Sequence, residues 1–197
     1  WDAHDRLPEE GKHRHNYIGC LLRTAGHDFM DFRYQADAQG NFVSATGGSD
    51  GCINFNDPDN KGVPQCLTTF KVGEIYQSFK SEVTLADFFV IMGEAIAARA
   101  ARHFSYDKAW QPGQLETRFL NNFRFGRVTA HECHEADGLM PNPEEGCADL
   151  KRVFLDHVYL NKYIKTSWKR LTAISGVHTI GGMKKENSGY ELSLIHI

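Results

Sequence analysis

A mainly α-helical fold is predicted for this chain, from two apolar stripes at helical spacing and from the lack of any strong alternating segment. The first stripe is Ile18, Leu21, Leu22, Ala25 and Phe29, and the second is Leu85, Phe88, Phe89, Met92, Ala95 and Ile96. Steps of three and four residues line side chains along one face of a helix. The chain has 197 residues, 41% hydrophobic and 24% charged, an ordinary globular composition that fits one domain or two lobes around a shared group.

Taken in order, the first helix carries Arg23 and His27 four residues apart, so both project from one side of its apolar stripe. The stretch from Tyr34 to Gly51 holds Gly40, Gly47, Gly48 and Gly51 among Asp, Ser and Asn residues and reads as a loop. A second helix is expected from about Lys61 to Phe79, with Pro64 in its first turn, where a missing N–H costs little. The third is the clearest: Thr84 is placed to cap it, and Asp87 falls in its first turn, where the helix dipole favours negative charge. From Ser105 to Glu145 the period dissolves among Pro112, Pro141, Pro143 and several glycines, which predicts loop and short helix. Helix returns near Cys147–Leu160 through Leu150, Val153, Phe154, His157 and Val158, and a shorter one at about Ser167–Ser175 leads into His178. The domain is expected over 15–190, with 191–197 as an apolar tail of doubtful origin and no evident partner. Internal repeats and low-complexity tracts are absent.

Several function classes are disfavoured. A net charge of −3 with scattered Lys and Arg gives no case for nucleic acid or an acidic membrane. No segment approaches the roughly 18 apolar residues needed to span a bilayer. The start, Trp1-Asp2-Ala3-His4, shows no signal peptide, and the compartment stays open, as does the oligomeric state. Five cysteines, Cys20, Cys52, Cys66, Cys133 and Cys147, leave at least one thiol free and do not settle the redox compartment.

The chemistry concentrates at two histidines. His27 lies in Leu21-Leu22-Arg23-Thr24-Ala25-Gly26-His27-Asp28, and His178 follows an apolar helix ending in Ser175-Gly176. Between them, a bound haem iron would have an acid–base group on one face and an axial ligand on the other. A neutral imidazole can move a proton between the two oxygens of a peroxide, and its ordinary pKa suits neutral pH. A guanidinium beside it stabilises charge on the separating oxygen, while a proximal imidazole is the peroxidase arrangement. Each string alone has a plainer reading: a packing histidine, a solvated Arg-His pair, an ordinary Gly-rich turn. Their order in one chain, with compatible helices between, favours the chemical one.

These strings resemble the plant, fungal and bacterial (non-animal) haem peroxidase superfamily over roughly Tyr17 to Gly182. The anchors are Arg23-Thr24-Ala25-Gly26-His27-Asp28, Gly47-Gly48-Ser49-Asp50-Gly51, Leu85-Ala86-Asp87-Phe88, Gly126-Arg127 and Ser175-Gly176-Val177-His178-Thr179. The resemblance implies a haem-peroxidase-like helical fold with a distal lobe and an incomplete proximal one. It implies haem b as cofactor, hydrogen peroxide and a small reducing substrate as partners, and a role in the response to oxidative stress. Arg23 and His27 match the distal catalytic pair, and Asn60 the asparagine that holds the distal histidine in its basic tautomer. His178 matches the axial iron ligand. Asp28, Gly48 through its carbonyl, and Asp50 match a distal Ca2+ site, and Thr179 the first ligand of a second one. Asp87 and Arg127 match a structural ion pair, and Pro141 and Pro143 the substrate channel at the haem edge.

Three departures set further expectations. Gly26 stands where the family has Phe or Trp, so the pocket is expected to be wider, wetter or filled by another side chain such as Phe29. Cys52 stands where the Ca2+ site usually offers a hydroxyl; a thiol suits a hard cation poorly, so that site is expected to be weaker. Only 19 residues follow His178 and none is Asp, so the buried aspartate that holds the family's proximal histidine is lacking and the chain reads as C-terminally truncated, its own activity open. Phe29 also stands where the secreted plant class has Cys, which places the chain nearer the intracellular or fungal-like branches. The alternatives are an inactive peroxidase-like binding protein, and a non-haem metal module built on His131-Glu132-Cys133-His134 with Cys147 downstream.

Overall fold

The computed structural model describes residues 12–104, 113–134, 139–142, 145–159, 164–188 and 192–193, and the fold is mainly α, as the sequence predicts. Helix α1, Lys12–Met30, runs between two apolar cores. Its stripe places Tyr17, Ile18 and Leu21 against Val63, Val72, Phe88, Phe89, Met92 and Ile96. Its last residue, Met30, packs instead with Val153, Phe154, Leu155 and Leu171. Each fully buried side chain of this size contributes roughly 1.5–3 kcal/mol, so α1 is anchored at both ends.

Two short antiparallel strands follow, β1 (Arg33–Ala36) and β2 (Phe42–Thr46), with a register shift between Gln35 and Ala36. The loop expected over Tyr34 to Gly51 is therefore in part a hairpin. The Asp37 carboxylate closes its turn by accepting the N–H groups of Gln39 and Asn41 at 2.9 and 2.8 Å. Both faces of the hairpin are largely exposed, so no alternation of apolar and polar residues announces it.

The helix expected from Lys61 to Phe79 is two helices, α2 (Val63–Thr69) and α3 (Val72–Gln77), after a 3₁₀ turn at Pro58–Asn60. Lys71 breaks the run in a left-handed conformation, φ 54°. Thr68 and Thr69 prepare the break by donating their hydroxyls back to the carbonyls of Pro64 and Gln65 at 2.9 and 2.7 Å, a contact that bends helices. The reward is packing: the Phe70 ring meets Tyr17 edge-on at 5.2 Å and Val72 is buried.

Helix α4, Leu85–Phe104, starts where the sequence places its cap, with the Asp87 N–H donating to Thr84 Oγ1 at 3.1 Å. It crosses α1 closely, because a Cβ on Gly93 would lie 2.9 Å from that of Ala25. Asp87, buried, accepts the Gly126 N–H and the Arg127 guanidinium, each at 2.8 Å. Burial alone would raise its carboxyl; those bonds outweigh it and hold the group below the usual carboxylate value. A short α5, Gln114–Asn122, lies in the stretch read as loop and short helix.

Near the predicted Cys147–Leu160 helix, α6 (Gly146–Leu150) widens into a π-helical stretch, Lys151–Val158. That widening accompanies the burial of three consecutive residues, Val153, Phe154 and Leu155, more than one α-helical stripe would bury. Helix α7, Ile164–Ser175, leads to a second 3₁₀ turn, Gly176–Thr179. Strand β3 (Gly182–Met183), helix α8 (Lys185–Ser188) and strand β4 (Leu192–Ser193) follow, and β3 pairs with β4. Two residues of the tail expected to lack a partner thus have one. Pro143 lies outside the described residues.

Disulfides join Cys20 to Cys66 and Cys52 to Cys133, and Cys147 is free and exposed. None of the described helices is long and apolar enough to cross a membrane. The His178 turn reaches α1 through a backbone contact: a Cβ on Gly19 would lie 3.0 Å from the Gly181 Cα. Gly19→Ala should therefore destabilise the protein by roughly 1–3 kcal/mol through overpacking. Gly73→Ala, in α3 with open space around it, should instead stabilise it by about 0.5–1 kcal/mol. Urea denaturation of the two variants checks this, and equal effects would remove the proposed close contact.

Candidate active site

Arg23 and His27 lie on successive turns of α1 and meet directly, with Arg23 Nε–H donating to His27 Nε2 at 3.2 Å. The rest of the guanidinium is held by backbone: Nη1 donates to the Lys61 carbonyl at 2.8 Å and Nη2 to the Asp59 carbonyl at 3.1 Å. His27 Nδ1 lies 2.7 Å from Asn60 Oδ1. The orientation of that amide is set from behind, because Asn60 Nδ2 donates to the Asn54 carbonyl at 2.8 Å. Asn60 Oδ1 can then only accept, so Nδ1 carries the imidazole proton and Nε2 presents a lone pair.

Burial pushes the His27 pKa down to about 4, and the Arg23 charge adds to it. The Asn60 hydrogen bond pulls the other way, a positive His178 would lower the value further, and Asp57 opposes it. His27 is therefore a neutral base at pH 7. Asn60 and the site's helix residue Thr24 are buried, and Thr24 Oγ1 is satisfied by the Cys20 carbonyl at 2.9 Å. At Gly26 no atom of the described residues lies within 4 Å of where a Cβ would stand, so none of their side chains fills that spot beside His27.

His178 sits in the 3₁₀ turn after α7, exposed, with Nδ1 3.3 Å from the Ser175 carbonyl. A charged His178 would lower the His27 pKa. An exposed imidazole and a part-buried Arg-His pair are residue types that suit a haem iron. Pro141 is half-buried, and its neighbour Met140 packs on the second core.

About 100° around α1 from His27, Asp28 is 1% exposed and neither of its carboxylate oxygens has a hydrogen-bond partner. Burial, then the charges of Asp50 and Asp31, push its pKa up to about 8. The N–H groups of Gly51 and Cys52 act in the other direction without completing a hydrogen bond. Asp31 is pushed up to about 6 by burial even though the Gly48 N–H donates to it at 2.6 Å. Asp50 is raised by burial and accepts the Cys52 N–H at 3.0 Å, while the Gly48 carbonyl accepts the Asp50 N–H at 2.6 Å.

Two expectations change here. Cys52 offers no thiol to a cation, because its sulphur is bonded to Cys133. The same bond dismantles the His131-Glu132-Cys133-His134 cluster as a metal module. Among the described residues no group of three or more His, Cys, Asp or Glu side chains is arranged to hold a metal ion. Thr179 is exposed and its hydroxyl donates to the Gly176 carbonyl at 2.7 Å. An unpaired, buried Asp28 is nonetheless what a hard cation would satisfy, with carbonyl oxygens as the remaining donors.

Sequence reasoning missed the Asp59 and Lys61 carbonyls that hold Arg23, since a backbone acceptor leaves no mark in residue type. It also missed Asp57, although Asp followed by Pro is a helix-start signal.

No family model matches the chain. A comparison with curated proteins finds it 28% identical over 180 residues to L-ascorbate peroxidase 5, peroxisomal, of Arabidopsis thaliana. The match covers 89% of this chain and 52% of the relative, so the chain spans about half the relative's length. This likeness suggests the peroxidase superfamily and nothing finer.

The acidic loop makes a pH prediction. Folded Asp28, near 8, keeps a proton that an ordinary carboxyl at 3.8 has lost. The folded chain then binds more protons than the unfolded one, and stability falls as pH rises toward 8. His27 acts in the opposite sense only below its ordinary value of 6.5. Thermal melts in chelator should therefore give a Tm that drops between pH 6.5 and 8. Asp28→Asn should flatten that slope, and an unchanged slope in the variant would refute the assignment.

Proposed function

We propose that this chain is a haem-dependent peroxidase of the plant, fungal and bacterial superfamily, reducing hydrogen peroxide with electrons from a small donor. The observation that carries this reading is the continuous relay Asn54–Asn60–His27–Arg23, which ends in a neutral, unprotonated imidazole nitrogen beside a fixed positive charge. The partial likeness to a peroxidase supports it.

When bound, haem b supplies the iron at which peroxide is reduced, and His178 through Nε2 would hold it. His27 Nε2 takes a proton from one peroxide oxygen and delivers it to the other, which leaves as water. Arg23, held by its two backbone anchors, stabilises the negative charge that gathers on the departing oxygen once its Nε–H, which donates to His27 Nε2 at rest, gives way to the peroxide. Asn60 keeps Nδ1 protonated throughout, so only Nε2 exchanges protons with substrate. Open space at Gly26 leaves the pocket wide on the side where the family carries an aromatic ring. Asp28, with carbonyl oxygens of the Gly48–Asp50 loop, is the proposed Ca2+ anchor. Ascorbate, named for the relative, is the first donor to test.

Protein reconstituted with haem should show a Soret band that shifts on adding hydrogen peroxide; failure to take up haem would sink the reading. His27→Leu should leave haem bound and slow that shift by roughly 10²–10⁴-fold, whereas His178→Ala should change the ligation spectrum before peroxide is added. The rate of the shift should stay flat from pH 8 to pH 5 and fall near pH 4, as His27 gains its proton. A midpoint above pH 6 would mean that another group is the base.

A further inference from the structure

We infer that Asp57 is a positioning residue for both catalytic side chains, because its carboxylate caps the single turn from which Arg23 and His27 are held. This rests on the reading of Arg23 and His27 as the catalytic pair. Asp57 is buried, 9% exposed, in an extended conformation just ahead of the 3₁₀ turn Pro58–Asn60. Its Oδ1 accepts the Asp59 N–H at 2.9 Å. Its carbonyl accepts the Asn60 N–H at 3.0 Å, and its own N–H donates to the Asn54 carbonyl at 3.2 Å. Pro58 sits in the first turn, where its ring presets the backbone and no N–H is wasted.

Three successive residues of that turn then act on the site. The Asp59 carbonyl takes Nη2 of Arg23, the Asn60 side chain takes Nδ1 of His27, and the Lys61 carbonyl takes Nη1 of Arg23. Asn54, whose carbonyl orients the Asn60 amide, is tied to the same segment through the Asp57 N–H. A rotation of the turn by a few tens of degrees would break all three contacts together. Without the cap, the imidazole is free to move its proton to Nε2, where it can no longer accept a proton from substrate. Of the groups that act on His27, Asp57 and the Asn60 amide favour its positive form, and Arg23 and His178 oppose it.

The decisive measurement is the tautomer of His27 in haem-free protein, read from ring ¹⁵N chemical shifts and assigned with His27→Gln. The unsubstituted chain should show a protonated Nδ1. Asp57→Ala should shift His27 toward protonated Nε2, and Asp57→Asn, which keeps an oxygen for the Asp59 N–H, should restore Nδ1. In haem-loaded protein, Asp57→Ala should slow the peroxide reaction by roughly ten- to a hundredfold, the scale on which misplaced catalytic groups lose rate. The KM for the reducing donor should not change. Should the alanine variant fail to fold, Asp57→Glu, whose extra methylene misplaces the carboxylate, takes its place in both measurements. Asp57 would be overturned as a positioning residue if His27 stays protonated at Nδ1 and the peroxide rate holds within twofold. If the unsubstituted chain takes up no haem, the peroxidase reading fails, while the tautomer measurement still decides the role of Asp57.

Discussion

The hydrogen bond between His27 Nδ1 and Asn60 Oδ1, 2.7 Å long and largely out of water, is the constraint on which the rest of the site depends. It ties α1 to the turn ahead of α2, and it decides which ring nitrogen carries a proton. An imidazole in solution exchanges its two tautomers freely. Here one is selected by an amide that is itself held from behind, so the selection is made before any substrate arrives. Arg23 is treated the same way, by two carbonyls of one turn. Arg23 is thus fixed directly by backbone carbonyls, and His27 through an Asn60 side chain that a backbone carbonyl orients.

Covalent links reinforce the same joint. Cys20 lies one turn before Arg23, and its disulfide partner Cys66 is in α2, just past the turn that carries Asn60. Closing 46 residues in this way removes about 4 kcal/mol of entropy from the unfolded chain in the chain-entropy picture. The second bridge, Cys52 to Cys133, pins the Gly-rich loop to the segment that follows Arg127. That segment also donates the Ala130 N–H to the Asp50 carbonyl at 3.0 Å. The acidic side of α1 is therefore clamped by a disulfide and a backbone bond although its carboxylates repel one another.

Much of this was legible in the sequence where side-chain type carries the information. The stripes of α1 and α4, the Thr84 cap and the spacing of Arg23 and His27 all follow from helical periodicity, and Asn60 from a resemblance in its string. What escaped was written in other terms. The hairpin has no buried face, so alternation could not reveal it. The break at Lys71 depends on where Phe70 and Val72 pack, which only the folded core decides. The pairing of four of five cysteines depends on which loops meet in space, and that pairing removed Cys52 as a ligand. The carbonyls that grip Arg23 belong to residues whose side chains say nothing of it.

One helix, finally, serves two sites with consecutive residues. Arg23 and His27 lie on one side with Asn60, while Asp28, one residue on and so about 100° around the axis, lies by Asp31 and Asp50 of the acidic loop. With side-chain tips about 5–6 Å from the helix axis, a roll of about 10° would carry the imidazole nitrogen roughly 1 Å. A displacement of that size is enough to cost on the order of a hundredfold in rate. Asp28 and His27 are thus set by one helix: the packing that fixes the roll of α1 for the acidic loop fixes it for the imidazole as well.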